Sequence, residues 1–182
     1  MKRRLLVLLL MIIAMIAFVA GCGEGTPAPK KEVPKAEVSA KICAVAGIGD
    51  TLDEWIKDHG KPNLDNGSSK NFRNNGFLVL FIDNRACNIT IQASNLKDAA
   101  EYVKKMVPLD GKYVSEKTND DGMVTTIDKE YTSENLKKVI KSNLTGHCTV
   151  GEARDSKSKQ LIMYVIDCLP TLQETQKSKE AK

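Results

Sequence analysis

The chain has 182 residues, 27 of them basic and 23 acidic, for a net charge of +4 at neutral pH. Lys2, Arg3 and Arg4 at the extreme N-terminus hold three of the basic residues, so the rest of the chain is close to neutral. A near-neutral body gives no support to nucleic-acid binding, which usually shows a basic face or a strongly basic domain.

The three N-terminal cations precede an uninterrupted apolar run, Leu5 to Ala20. This run is shorter than the ~20 residues of a spanning helix. A basic start, a short apolar core and small residues at its end read as a secretory signal over residues 1–21. An uncleaved anchor helix with Cys22 as an ordinary thiol is the competing reading. The run ends in Val19-Ala20-Gly21-Cys22, which resembles the lipobox of bacterial lipoproteins. The resemblance implies a diacylglyceryl thioether on the Cys22 sulfur, cleavage before that residue and an acylated new N-terminus. Two or more acyl chains anchor stably where one is marginal. The expected location is the cell membrane or outer membrane, lipid-anchored on the extracytoplasmic side.

Residues 22–41 follow as a Pro-, Ala-, Lys- and Glu-rich stretch with Pro27, Pro29 and Pro34 and no apolar periodicity. They read as a flexible tether that cannot bury enough apolar surface to offset its ordering entropy. Residues 172–182 read as a disordered polar tail of the same kind. Residues 42–171, about 130 in number, suffice for a single domain with a real core.

Within that domain Thr51-Leu52-Asp53-Glu54 reads as a capping box. Leu52, Trp55, Ile56 and His59 then share one face of a helix that Gly60 and Pro62 stop. Phe77 to Ile82 is an apolar run typical of a buried strand. Asp83-Asn84-Arg85 is a turn, and Ala86 to Gln92 alternates as the return strand, with Cys87, Ile89 and Ile91 inward. Asn95 is positioned to cap a second helix carrying Leu96, Ala99, Ala100, Val103 and Val107, ended by Pro108. Lys112–Lys117 and Met123–Tyr131 form a second hairpin around Asn119-Asp120-Asp121-Gly122. Thr132 or Ser133 caps a third helix with Leu136, Val139, Ile140 and Leu144. His147–Ala153 and Gln160–Asp167 make the last hairpin. Tightly joined strands are antiparallel, so the fold class is α+β: an antiparallel sheet of hairpins with three short helices packed on it. Leu52, Trp55 and Ile56 map onto Leu136, Val139 and Ile140, which leaves room for a duplicated helix-hairpin unit.

Ile48-Gly49-Asp50-Thr51, then Trp55, then Gly60-Lys61-Pro62 resembles the opening of SmpA/OmlA-type (BamE-like) lipoproteins. Their fold is shared with β-lactamase-inhibitor-like domains. The likeness spans residues 47–92 and implies a helix leading through a short loop into antiparallel strands. Residues 96–169 have no counterpart in the short members of that family, so the likeness implies a fold more than a barrel-assembly role.

Beyond Cys22 the chain has Cys43, Cys87, Cys148 and Cys168. An even number in an exported chain points to two disulfides, with three connectivities open. Hairpin geometry sets Cys148 across from Cys168, which leaves Cys43 for Cys87. Four buried thiols are the alternative, because cysteine is often buried without a bridge.

No metal-ligand spacing is present, and His147-Cys148 on a strand would point to opposite faces. No nucleophile, base and orienting group can be assembled from two histidines and these cysteines. Asp83-Asn84 and Asp120-Asp121-Gly122 lack the acidic positions of a calcium loop and read as turns. The expectation is therefore a non-enzymatic protein-interaction module of the cell envelope, without cofactor or metal. It would hold the bilayer through acylated Cys22 and a protein partner through its sheet face or an edge. The alternative is a lipoprotein binding a small molecule or cell-wall component in a pocket between helices and sheet, near Trp55, Phe77, Phe81 or Tyr131.

Overall fold

The computed structural model describes residues 41–169. The signal peptide, Cys22, nearly all of the tether and the C-terminal tail lie outside these residues. Among the described residues no helix is long and apolar enough to cross a membrane.

Among the described residues three helices and eight strands alternate. They are α1 (Leu52–His59), β1 (Leu64–Asn66), β2 (Ser69–Phe72), β3 (Phe77–Ile82), β4 (Arg85–Gln92), α2 (Ala99–Met106), β5 (Lys112–Asp120), β6 (Val124–Thr132), α3 (Glu134–Val139), β7 (His147–Asp155) and β8 (Leu161–Asp167). The strands form one antiparallel sheet in the order β1-β2-β3-β4-β8-β7-β6-β5. The seam is β4 against β8, where Asn88 pairs with Asp167 and Gln92 with Met163. It joins two runs of hairpins that no short turn connects. The fold is thus α+β, an antiparallel sheet with a few short helices. Four strands follow α1 and two follow each of the other helices, so element order does not display a duplicated unit.

The helices lie where local chemistry starts and stops them. Thr51 accepts from the Glu54 N–H, and the Glu54 carboxylate accepts from the Thr51 N–H at 2.7 Å, completing the capping box. Gly60 ends α1 at φ 82°, a conformation that favours glycine. Ser133 caps α3 by accepting from the Leu136 N–H at 3.0 Å. Two helices are shorter than their apolar spacing predicts. Asn95 does not cap α2: its N–H closes a turn onto the Gln92 carbonyl, and the first helical bond runs from Tyr102 to Asp98. α3 stops at Val139, and Leu144 lies beyond it, 62% exposed. The hairpin β1–β2, which hydropathy does not predict, turns at Gly67 with φ 73°.

All apolar burial is on one side. β3 alternates, with Phe77, Val79 and Phe81 inward and Leu78, Leu80 and Ile82 outward. Ile89, Ile91 and Ile166 join the same inward face. The loop of residues 42–50 and α1 close over it, with Trp55 fully buried. The 42–50 loop is held by side chains rather than by regular structure. Buried Asp50 accepts from the N–H groups of Ile42 and Gly47, each at 2.9 Å. Trp55 Nε1 donates to the Gly47 carbonyl at 3.1 Å, and His59 Nε2 meets the Ala46 carbonyl at 2.9 Å. Gly47 is required there, since a Cβ at that residue would sit 2.3 Å from the Met106 carbonyl oxygen.

Candidate functional site

The two faces of the sheet differ in what covers them. Cross-strand neighbours point the same way, so one face carries Leu64, Leu78, Leu80 and Ile82 toward solvent and continues through Asn88, Thr90 and Gln92. Leu64, Leu78 and Ile82 are 49%, 42% and 41% exposed. No helix lies over them among the described residues.

At the far edge, every residue of β5 is exposed. An open edge is a template for an added strand, but this one carries Lys112, Glu116, Lys117 and Asp120 and a register break between Tyr113 and Ser115. Charge and irregularity are the usual means of blocking edge pairing.

On the covered face, a cleft of about 430 Å³ opens between α2 and the strands β6, β7 and β8. Val103 and Val107 form one wall, and Ile127, Tyr131, Val150 and Tyr164 form the floor. Tyr131 stacks edge-on against Tyr113, with centroids 6.0 Å apart. Burial pushes the Tyr164 phenol up, and the adjacent Glu152 carboxylate adds to the effect. Lys104 and Lys129 are the cations of the rim, and both are paired: Lys104 with Glu101 at 2.9 Å and Lys129 with Glu116 at 3.6 Å.

A second, more charged cleft of about 470 Å³ lies between α1, α2 and the chain around Lys41. Three of its charged side chains are engaged close to α1. Lys41 pairs with Asp58, and Arg73 lies over the Tyr102 ring at 5.4 Å while donating to the Asp58 carbonyl at 3.1 Å. Desolvation pulls the Asp58 carboxyl upward, but Lys41 and the Ala46 N–H outweigh it and hold the group below the usual carboxylate range.

The aromatic residues singled out in the sequence separate. Tyr131 lines the cleft. Trp55, Phe77 and Phe81 lie in the core, with Trp55 5.9 Å from Phe77 and 6.2 Å from Phe81 between ring centroids. They line neither cleft described above, because the apolar spacing that marks them is core spacing. The residues that do line the cleft from α2, Val103 and Val107, were legible in the sequence only as a helix face.

The four cysteines are buried and brought onto one side of the sheet. Cys148 opposes Cys168 one step beyond the Thr149–Asp167 pair of β7 and β8, and Cys87 opposes Cys168 on its other flank, one step beyond the Asn88–Asp167 pair. The Cys43 thiol turns away, donating to the Ile48 and Met106 carbonyls at 3.4 and 3.2 Å. His147 and Cys148 do point to opposite faces: His147 Nε2 lies 3.9 Å from Glu130, while Cys148 is fully buried. Among the described residues no three His, Cys, Asp or Glu side chains are grouped to hold a metal ion. Asp83-Asn84 and Asp120 to Gly122 form turns, with Gly122 N–H bonded to Asp120 Oδ1 at 2.9 Å.

Compared with known proteins, the chain matches no family model, no curated protein and no solved structure.

Proposed function

We propose that this protein is a lipid-anchored, extracytoplasmic module of the cell envelope that binds a protein partner and carries out no chemistry of its own. The leader ending in Val19-Ala20-Gly21-Cys22 and the family likeness of residues 47–92 support the setting. The observation that carries the binding reading is the one-sided sheet. Its helices cover one face, and the other turns Leu64, Leu78 and Ile82 to solvent. Apolar side chains grouped in this way on an open surface mark an interaction site. Docking a partner there would bury them, with the polar row Asn88, Thr90 and Gln92 at the rim.

A photoreactive residue at Ile82, introduced in intact cells, tests this. The expected result is a single protein adduct that Leu78→Asp removes while the thermal midpoint stays unchanged. The absence of any protein adduct from Ile82 would refute it.

A second reading rests on the cleft between α2 and the sheet, whose apolar floor and polar rim are those of a small-molecule site. Native mass spectrometry of the protein released gently from membranes decides it. A bound species lost on Val150→Trp supports the cleft, and an unliganded mass in every preparation argues against it.

A further inference from the structure

We infer that Cys87 and Cys168 are joined by a disulfide that ties β4 to the end of β8, while Cys43 and Cys148 remain thiols. Cys168 has a cysteine directly across from it on each flank, and two features of the backbone choose between them. On the β4 side the ladder continues past the last strand pair, and the Cys168 N–H donates to the Cys87 carbonyl at 3.0 Å. The Cys168 thiol turns the same way, 3.4 Å from that carbonyl oxygen. On the β7 side the ladder is interrupted. The buried Asn143 amide ends it, accepting from the His147 N–H at 3.1 Å and donating to the carbonyls of His147 at 2.6 Å and Cys168 at 3.1 Å. Opposed residues on adjacent antiparallel strands have Cα atoms about 4.5–5.5 Å apart, inside the range a disulfide spans. Cys43 has its own acceptors in Ile48 and Met106.

The protonation preferences run the same way. The hydrogen bond between the two thiols pulls Cys87 below the usual thiol value and pushes Cys168 above it. Burial pushes Cys148 up to about 12, and it raises Cys43 as well.

The oxidant is a disulfide, supplied by a thiol–disulfide oxidoreductase or by oxidised glutathione. The Cys87 thiolate attacks one sulfur of that disulfide, and the other sulfur leaves as a thiolate. Cys168, after losing its proton, attacks the Cys87 sulfur of the mixed disulfide and expels the second sulfur. The protein loses two electrons and two protons, and the oxidant becomes two thiols. Both sulfurs are sealed in the fold, each residue being only 2% exposed, so the exchange takes place before the domain closes.

Oxidation in the cell rests on the extracytoplasmic setting proposed above, whereas the choice of partners does not. Full-length protein taken from its native membranes is alkylated in denaturant without reductant, digested and mapped by mass spectrometry. One linked peptide pair containing Cys87 and Cys168 is expected, with Cys43 and Cys148 alkylated. A link from Cys168 to Cys148, or from Cys87 to Cys43, overturns the inference. If all four are alkylated, the reduced chain is refolded in a glutathione redox buffer. A Cys87–Cys168 link there keeps the pairing and removes the oxidising compartment, while any other link, or none, removes the pairing. Cys148→Ser should leave the linked pair intact. Cys87→Ser should abolish it and lower the thermal midpoint by about 10 °C under non-reducing conditions, as expected for a long closed loop.

Discussion

Replacing Asp50 with alanine should destabilise the whole domain through its N-terminal loop. Asp50 is fully buried, and its two carboxylate oxygens take the N–H groups of Ile42 and Gly47. Alanine orphans both donors, at about 1–3 kcal/mol for each buried unsatisfied group. It also removes a desolvated carboxylate, which returns part of that cost. The net loss should be about 2–4 kcal/mol, a large part of the ~5–15 kcal/mol that holds a domain of this size. The assay is urea unfolding followed by fluorescence of Trp55, the only tryptophan in the chain and itself bonded to Gly47. The midpoint should fall with the slope unchanged. Asp50→Asn adds a pH arm. Burial raises the folded-state pKa of Asp50, so the folded protein holds this proton more tightly than the unfolded chain. The contribution of that group is then complete below the ordinary carboxylate pKa and is lost as pH rises through the folded value. The stability gap between wild type and Asp50→Asn should therefore narrow from acid to neutral pH. An Asp50→Ala protein within ~0.5 kcal/mol of wild type, the usual range of surface substitutions, would refute the reasoning.

His59 should make the domain acid-sensitive. Desolvation lowers its folded pKa, its Nε2 faces the Ala46 carbonyl, and its Nδ1 is buried without a partner, so protonation adds an unsatisfied N–H. Its contribution is present above the ordinary imidazole pKa and is lost as pH falls through the folded value. His59→Gln should lose less stability than wild type between about pH 7 and pH 5, read by the same urea titrations. Gly47→Ala should cost about 3 kcal/mol or more, since the new Cβ would meet the Met106 carbonyl oxygen at 2.3 Å and its Cα at 2.5 Å. A Gly47→Ala protein of wild-type midpoint would mean that the 42–50 loop does not pack on α2 as described.

Elements governed by neighbouring residues were readable from the sequence. The capping box at Thr51, the stop at Gly60 and the hairpins turning at Asp83-Asn84 and at Gly122 depend on residues a few positions apart. The β1–β2 hairpin escaped because Leu64–Asn66 and Ser69–Phe72 are short and mostly polar. Its Asn66-Gly67 turn was the one signal on offer. The pairing of β4 with β8 joins residues about eighty positions apart, and no local pattern encodes it. That hidden neighbour is why hairpin logic alone sets Cys168 against Cys148 and misses Cys87. Trp55, Phe77 and Phe81 illustrate a different limit: apolar spacing says that a side chain is buried, not whether a core or a ligand buries it. Leu78 and Ile82 sit in the same run as Phe77 and Phe81. Only the covering of one sheet face by α1 and the 42–50 loop makes them surface residues.

Attachment to a bilayer through position 22 is tested most directly by the intact mass of the protein extracted from native membranes. The predicted species begins at Cys22 and carries a thioether-linked diacylglycerol and an acylated amine. A free thiol at Cys22, or residues 1–21 still in place, would contradict the tethered-module account.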